Sequence, residues 1–414
     1  MKLQFSTIGS IGLPVVKQFM TAAQLGDQFI PFSGSGVGIP TPNVFPQTLA
    51  DLASNAPTHG AAIEKKATLT FGQGVDFSEL TDNVRALLNS INKDDESIND
   101  IVYKVSYDLV TYGGFSLKVK WNFDRTISDI YHVPFKNVRM GIPVEGEVLN
   151  YIISNNWDRQ LHRQLEYFRS IPAFNPEKIN TESVEVNIDD NTITADEETL
   201  ANGEQLIYYK AYSTASNGFY PVPDYASCID AAFTEVEVGI AMIKTIENGL
   251  DGPVIISNAD DAQVSDENKQ EIIDTFNSLA AGAANAGGMI YVPSNIKVEQ
   301  VQSAKADKYE AINPEVRQRI ISAHGIPSIL VEYSQGGGFN NRAEEMTVAI
   351  EQFQATNIKK YQQQIIRVFN SLIPYMTNEE FNLQIVPFLT SDDAENEEVM
   401  EEVEDGTSLT NETE

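Results

Sequence analysis

The sequence predicts an α+β chain in which long amphipathic helices bracket a small strand-and-helix module. Two runs keep helical apolar spacing over unusual lengths. In the first, Asp224 stands as a helix cap before Ile229, Phe233, Val236, Ile240 and Ile243, and Asn248-Gly249 is the stop. At roughly 1.5 Å per residue this rod is about 39 Å long. In the second, a helix starting near Asn341 carries Met346, Ile350, Phe353, Ile358, Tyr361, Ile365, Val368 and Leu372 on its core side until Pro374 ends it, about 46 Å more. Upstream of both, the apolar period changes from 3.6 to 2 after Gly113-Gly114, where helices give way to sheet. Rods of this length around a small module suit packing against copies of the same chain better than closing a catalytic pocket.

Each element has a local reason. The first forty residues, ending in Gly34-Ser-Gly-Val-Gly-Ile-Pro40, are rich in Gly, Ser and Pro and read as a flexible arm, with order beginning after Pro46. Helical patterns follow at 58–70, 77–91 and 95–112, the last with Ile98, Ile101, Val105 and Leu109 on one face. Phe115 to Trp121, Ile127 to Val133 and Val148 to Ile153 read as strands. Residues 176–204 hold nine acids and one Lys, with a hairpin around Asp189-Asp190-Asn191, and read as a solvated excursion before a strand over Leu206 to Tyr212. After the first long helix come a strand over Pro253 to Ser257, a helix capped by Ser265, and strands over Met289 to Val292 and Lys297 to Val301. Ile312, Val316 and Ile320 mark a further helix, in which Asn313-Pro314 is either its start or an internal kink.

With 414 residues and 42% hydrophobic content, the chain has material for a sizeable core and for two or three domains. Met1-Lys2-Leu3-Gln4-Phe5 opens no signal-peptide stretch, and no segment approaches the roughly 18 uncharged apolar residues that span a bilayer, so the expected location is the cytoplasm, without membrane contact. The net charge of −31 is uneven: residues 390–414 carry eleven acids and no base, a tail expected to be disordered, whereas residues 305–376 balance to +1. Such acidity argues against gripping nucleic acid through a basic surface, though not against letting it slide past.

The order of elements resembles the portal proteins of tailed bacteriophages, in the long-tailed branch, over most of residues 45–389. Leu109-Val-Thr-Tyr-Gly-Gly-Phe-Ser-Leu-Lys118, Ile130-Tyr-His-Val-Pro-Phe-Lys-Asn-Val138 and Gly146-Glu-Val-Leu-Asn-Tyr151 are similar to the family's α+β wing. Gly218-Phe-Tyr-Pro-Val-Pro-Asp-Tyr225 resembles the turn into a first stem helix (223–250), 251–304 the clip, and 305–325, ending in His324-Gly-Ile-Pro-Ser328, a second stem helix. Ser334-Gln-Gly-Gly-Gly-Phe-Asn-Asn341 stands where the family has its tunnel loop, followed by the long helix, with 325–389 returning to the wing. The excursion at 176–204 has no counterpart, and the tail is too short and acidic for a sizeable helical crown. The resemblance implies a ring of twelve subunits at one capsid vertex. Its implied partners are the major capsid protein, the terminase large subunit during packaging, a head-tail adaptor afterwards, and double-stranded DNA held without sequence specificity.

The chemistry expected of the residues is sparse, and no cofactor is expected. Gly336-Gly-Gly-Phe-Asn-Asn-Arg342 lacks the Gly-Lys-Ser/Thr ending of a nucleotide loop. In a ring, Gln335, Gly336, Gly337, Gly338, Phe339, Asn340, Asn341 and Arg342 would point inward and touch the DNA backbone; otherwise they form a plain surface connection. Lys305, Lys308, Arg317 and Arg319 offer transient phosphate contacts if their helix lines the channel, or else pair with acids of neighbouring subunits. His59, His132, His162 and His324 are scattered without metal spacing, and Cys228, the only cysteine, reads as a small buried hydrophobe inside the first long helix. No catalytic centre and no metal site are expected. Two rival readings are another structural virion component, such as a connector or scaffold-associated protein, and a nucleotide-dependent enzyme using the 336–342 loop.

Overall fold

The computed structural model describes Ile30, Phe32, residues 42–157 except 79, 123, 145 and 156, then 169–178, 183–187, 192–196, 203–214, 219–247, 254–258, 296–300, 305–331 and 339–389 except 380. The described chain forms two compact units, Asp230–Ile320 and the remainder.

The larger unit starts with two helices, α1 (Phe45–Asn55) and α2 (Pro57–Phe71), each with Pro in its first turn, where the missing N–H costs nothing. After the short β1 (Gly74–Val75) come α3 (Asp82–Asn89) and α4 (Ile98–Tyr112). The last is fixed at both ends: Ser97 and Asp100 form a reciprocal capping box, and Gly113 closes it at φ +76. β2 (Gly114–Trp121) leaves that glycine directly and lies between β3 (Ile127–Val133) and β9 (Glu204–Lys210), both antiparallel to it. A second sheet has the order β4 (Val138–Met140), β5 (Asn150–Ile153), β6 (Arg169–Pro172). The acidic excursion contains the expected hairpin, β7 (Ser183–Asn187) against β8 (Thr192–Asp196).

The core sets Ile98, Ile101, Val105 and Leu109 of α4 against Phe115, Leu117 and Val119 of β2 and against Tyr361, Ile365, Phe369 and Leu372 of the long C-terminal helix. That helix runs as α7 (Phe339–Phe353), a π turn (Gln354–Ile358) and α8 (Lys359–Met376), after which β12 (Ile385–Val386) pairs with β1. It departs from the sequence reading in four ways. It begins at Phe339, two residues before Asn341. Pro374 lies inside its last turn rather than ending it. Phe369 takes the buried position expected of Val368, and Met346 is exposed. The five-residue step from Phe353 to Ile358 overshoots an α turn by about 140°. The wider π turn absorbs this overshoot and leaves both side chains buried in one cluster with Ala62, Leu69, Ile326 and Leu330.

The described residues of the N-terminal arm are anchored. Ile30 donates its amide to the Met140 carbonyl at 2.9 Å, and Phe32 is buried and stacked on Tyr220 at 4.1 Å, so this part of the arm expected to be flexible is docked on the second sheet.

In the smaller unit α5 (Ile229–Glu247) is followed by β10 (Val254–Asn258) and β11 (Ile296–Gln300), an antiparallel pair, and then by α6 (Lys305–His324), whose last four residues belong to the larger unit. Pro314 is inside α6, so Asn313-Pro314 does not start it. The helix expected after Ser265, the strand over Met289 to Val292 and the acidic tail lie outside the described residues. No helix among the described residues is long and apolar enough to cross a membrane.

Candidate functional site

The residues expected to face DNA fall into two groups. Gln335, Gly336, Gly337 and Gly338 lie outside the described residues, while Phe339, Asn340, Asn341 and Arg342 form the first turn of α7 rather than a loop. On α6, Lys305 and Lys308 occupy the first turn, and Arg317 and Arg319 are exposed. Arg319 Nη2 lies 2.9 Å from Asp230 Oδ2, an ion pair within the chain. Both side chains are about half exposed, so the pair is weak and leaves the guanidinium able to exchange partners. Further along the same unit, Ile240, Met242 and Ile243 of α5 are 45%, 45% and 56% exposed, an apolar stretch turned to solvent in the single chain.

A polar cluster that local sequence did not reveal is built around the buried Lys66 of the larger unit. Asp224 does not cap the first long helix. Its Oδ2 accepts from Lys66 Nζ at 2.9 Å and from the Tyr361 hydroxyl, with Lys360 Nζ at 3.7 Å. Burial works against the Asp224 charge, but the Lys66 ammonium and these hydrogen bonds outweigh it and hold the carboxyl below its ordinary 3.8. Burial likewise pulls Lys66 below its ordinary value, opposed by Asp224.

Beside this pair, His59 Nδ1 and His324 Nε2 share a 2.9 Å hydrogen bond, with the Tyr225 ring 4.7 Å from each imidazole and its hydroxyl donated to the Thr111 carbonyl. Burial, then the Lys66 charge, lowers His59 to about 4. His324 drops to about 2, through burial first and then His59 and Lys66. Both imidazoles are therefore neutral near pH 7. Cys228 is not inside the helix but ends a tight turn (Ala226–Cys228) just before α5, and one ligand atom from each of His59, Cys228 and His324 lies within 4.8 Å of the others. Two of the four histidines expected to be scattered, His59 and His324, are brought together because α2 packs where the chain enters α5 and leaves α6, while His162 lies outside the described residues. His132 has a different role: its Nε2 lies 2.7 Å from Asp108, which also accepts the Phe135 amide.

The chain is an α+β body from which one uninterrupted stretch, bounded by two helices, forms a separate unit. The family model described as Phage portal protein matches residues 66–412. The chain belongs to the phage portal protein family, whose members are structural, non-catalytic components of the tailed-phage virion. Among solved structures, a chain in the neck of an empty gene transfer agent particle, computed with C6 symmetry, is similar at a TM-score of 0.52 and 10% identity, over 89% of this chain and 90% of that one. A chain in the neck of the native particle, computed with C12 symmetry, gives 0.50 and 10%, over 88% and 91%. A phage portal protein of the HK97 family from Corynebacterium diphtheriae gives 0.49 and 10%, over 81% and 93%. No curated protein sequence matches the chain.

Proposed function

We propose that this chain is the subunit of a closed ring that conducts double-stranded DNA through one vertex of a phage capsid. The observation that carries this reading is the family match over residues 66–412 on a chain whose 230–320 stretch forms a separate unit bounded by two helices. The similarity to a neck chain computed with C12 symmetry supports a twelve-fold ring. Head-to-tail contacts whose rotation closes generate such a ring, and the exposed Ile240, Met242 and Ile243 offer apolar surface for one side of that contact.

In this reading α5 and α6 are the stem, β10 and β11 part of the clip, and residues 335–342 the inward-facing tunnel segment. The terminase large subunit docks on the clip during packaging and a head-tail adaptor replaces it afterwards. The major capsid protein surrounds the ring, which assembles in the host cytoplasm. Arg317 and Arg319 make brief phosphate contacts, and the net acidity of the wall keeps DNA moving.

Negative-stain electron microscopy of the purified chain, alone and co-expressed with its capsid protein, tests the reading. Rings with a central hole and high-order rotational symmetry are expected. Particles that never exceed dimers under either condition would overturn it.

A further inference from the structure

His59, Cys228 and His324 stand 265 positions apart at their extremes, on α2, on the turn before α5 and at the end of α6, yet all three are at most 3% exposed. Two imidazoles and a thiol are a donor set for borderline-soft divalent cations. The 2.9 Å between His59 Nδ1 and His324 Nε2 is already near the roughly 3.3 Å that separates two nitrogens on a tetrahedral ion with bonds of about 2.05 Å. The Cys228 sulfur lies within 4.8 Å of a ligand nitrogen of each imidazole.

Protein groups alone leave this pair unfinished. Each neutral imidazole has one N–H and one lone pair, and one of each is used in the shared bond. His59 Nε2 and His324 Nδ1 are buried without a partner, so in either tautomer one N–H is left with no acceptor. An ion held between the two facing nitrogens would leave both outer nitrogens as N–H donors, which ordered water can satisfy, so the donor set and its geometry carry the argument.

We propose that His59, Cys228 and His324 bind one divalent d-block cation, zinc above all, as a structural site. The ion sits between the two facing imidazole nitrogens, the proton they share moves to the outer nitrogen of the ring that held it, and the Cys228 thiol gives its proton to solvent and binds as the third protein ligand. The charge this adds beside Lys66 is offset by the thiolate and by Asp224, which already pairs with that lysine. The site ties α2 to the residues where the chain enters and leaves the 230–320 stretch. Because the ligands are buried, the ion is taken up as the chain folds rather than by the finished protein.

The test uses the untagged full-length chain, produced in cells fed with zinc or with cobalt(II), and also refolded from urea with either ion. Elemental analysis should give about one ion per chain. The cobalt form should show a thiolate-to-cobalt charge-transfer band, which in this chain only Cys228 can supply. Cys228→Ser should abolish that band and lower the metal content at least about tenfold, and a chelator present during refolding should lower the melting temperature of the wild type. The absence of metal and of the band from wild type prepared by both routes overturns the proposal. So does metal content that is unchanged in Cys228→Ser and His324→Phe, since the ion would then reside elsewhere. The wild-type cobalt spectrum decides the matter even if a variant fails to fold, and none of these readouts depends on ring formation.

Discussion

Arg139 and Lys66 are both cations with essentially no access to water, yet only Lys66 has an acid for a partner among the described residues. Arg139 donates five hydrogen bonds to neutral groups: the Asn43 side chain and carbonyl, the Lys136 and Val138 carbonyls, and Gln47 Oε1. Its guanidinium also lies 4.7 Å from the Trp157 ring centroid and 5.4 Å from that of Phe32. Burial lowers its pKa only to about 10, so the charge survives at pH 7. A planar, delocalised cation with a fork of donors can be buried by distributing its charge over dipoles. A compact ammonium needs a counter-charge, and Lys66 has Asp224. The difference predicts how each site breaks.

Arg139→Met should cost most, on the order of 4 kcal/mol, because it orphans several buried acceptors at once and releases the anchored arm at Phe32. Asp224→Asn should follow at about 3 kcal/mol, since it leaves the Lys66 ammonium buried with no anion. Lys66→Met should cost only about 1 kcal/mol, because Asp224 is 37% exposed and keeps Lys360 and Tyr361. The double variant should resemble Lys66→Met rather than the sum of the two. Urea midpoints of the four proteins check this order. An Arg139→Met cost no larger than that of Lys66→Met would erase the distinction between the two sites.

Acid sharpens the same contrast with a smaller effect. The Asp224 carboxyl is held below its ordinary 3.8, so its contribution is complete above that pH and is lost as pH falls from there through the depressed folded-state value. The stability gap between wild type and Asp224→Asn should therefore shrink below about pH 4. The gap to Arg139→Met should hold over the same range, because carbonyls and amides do not titrate. Parallel behaviour of the two gaps would contradict the assignment.

What could be read from the sequence was local. Ser97, Asp100, the apolar face of α4 and Gly113 lie within one short stretch and specify that helix completely. The π turn left a visible mark, the five-residue step between Phe353 and Ile358. α1 was missed although Phe45, Leu49 and Leu52 keep helical spacing, because Pro46 reads as a barrier where it is a favourable first-turn residue. The rest depends on distant partners. Asp224 has the makings of a cap until Lys66 and Tyr361 claim its carboxylate, and nothing near Arg139 in sequence announces that Asn43 will enclose it. The pairing of β2 with β9 and the meeting of His59 with His324 cross about ninety and 265 positions of chain, beyond the reach of any periodicity.

The π turn is fastened on both sides. Gln354 exchanges hydrogen bonds with the backbone of Phe388 and Leu389, and Asn357 donates to the Gly325 carbonyl. It holds one residue more than a plain helical path from Phe353 to Ile358 requires. Deleting Ala355 would let the helix close up and turn everything on its N-terminal side by about 100° about the axis while α8 stays locked in the core. Phe339 to Arg342 would turn with it. The direction in which that segment points is thus set like the hand of a dial, and a single codon is enough to move it one notch.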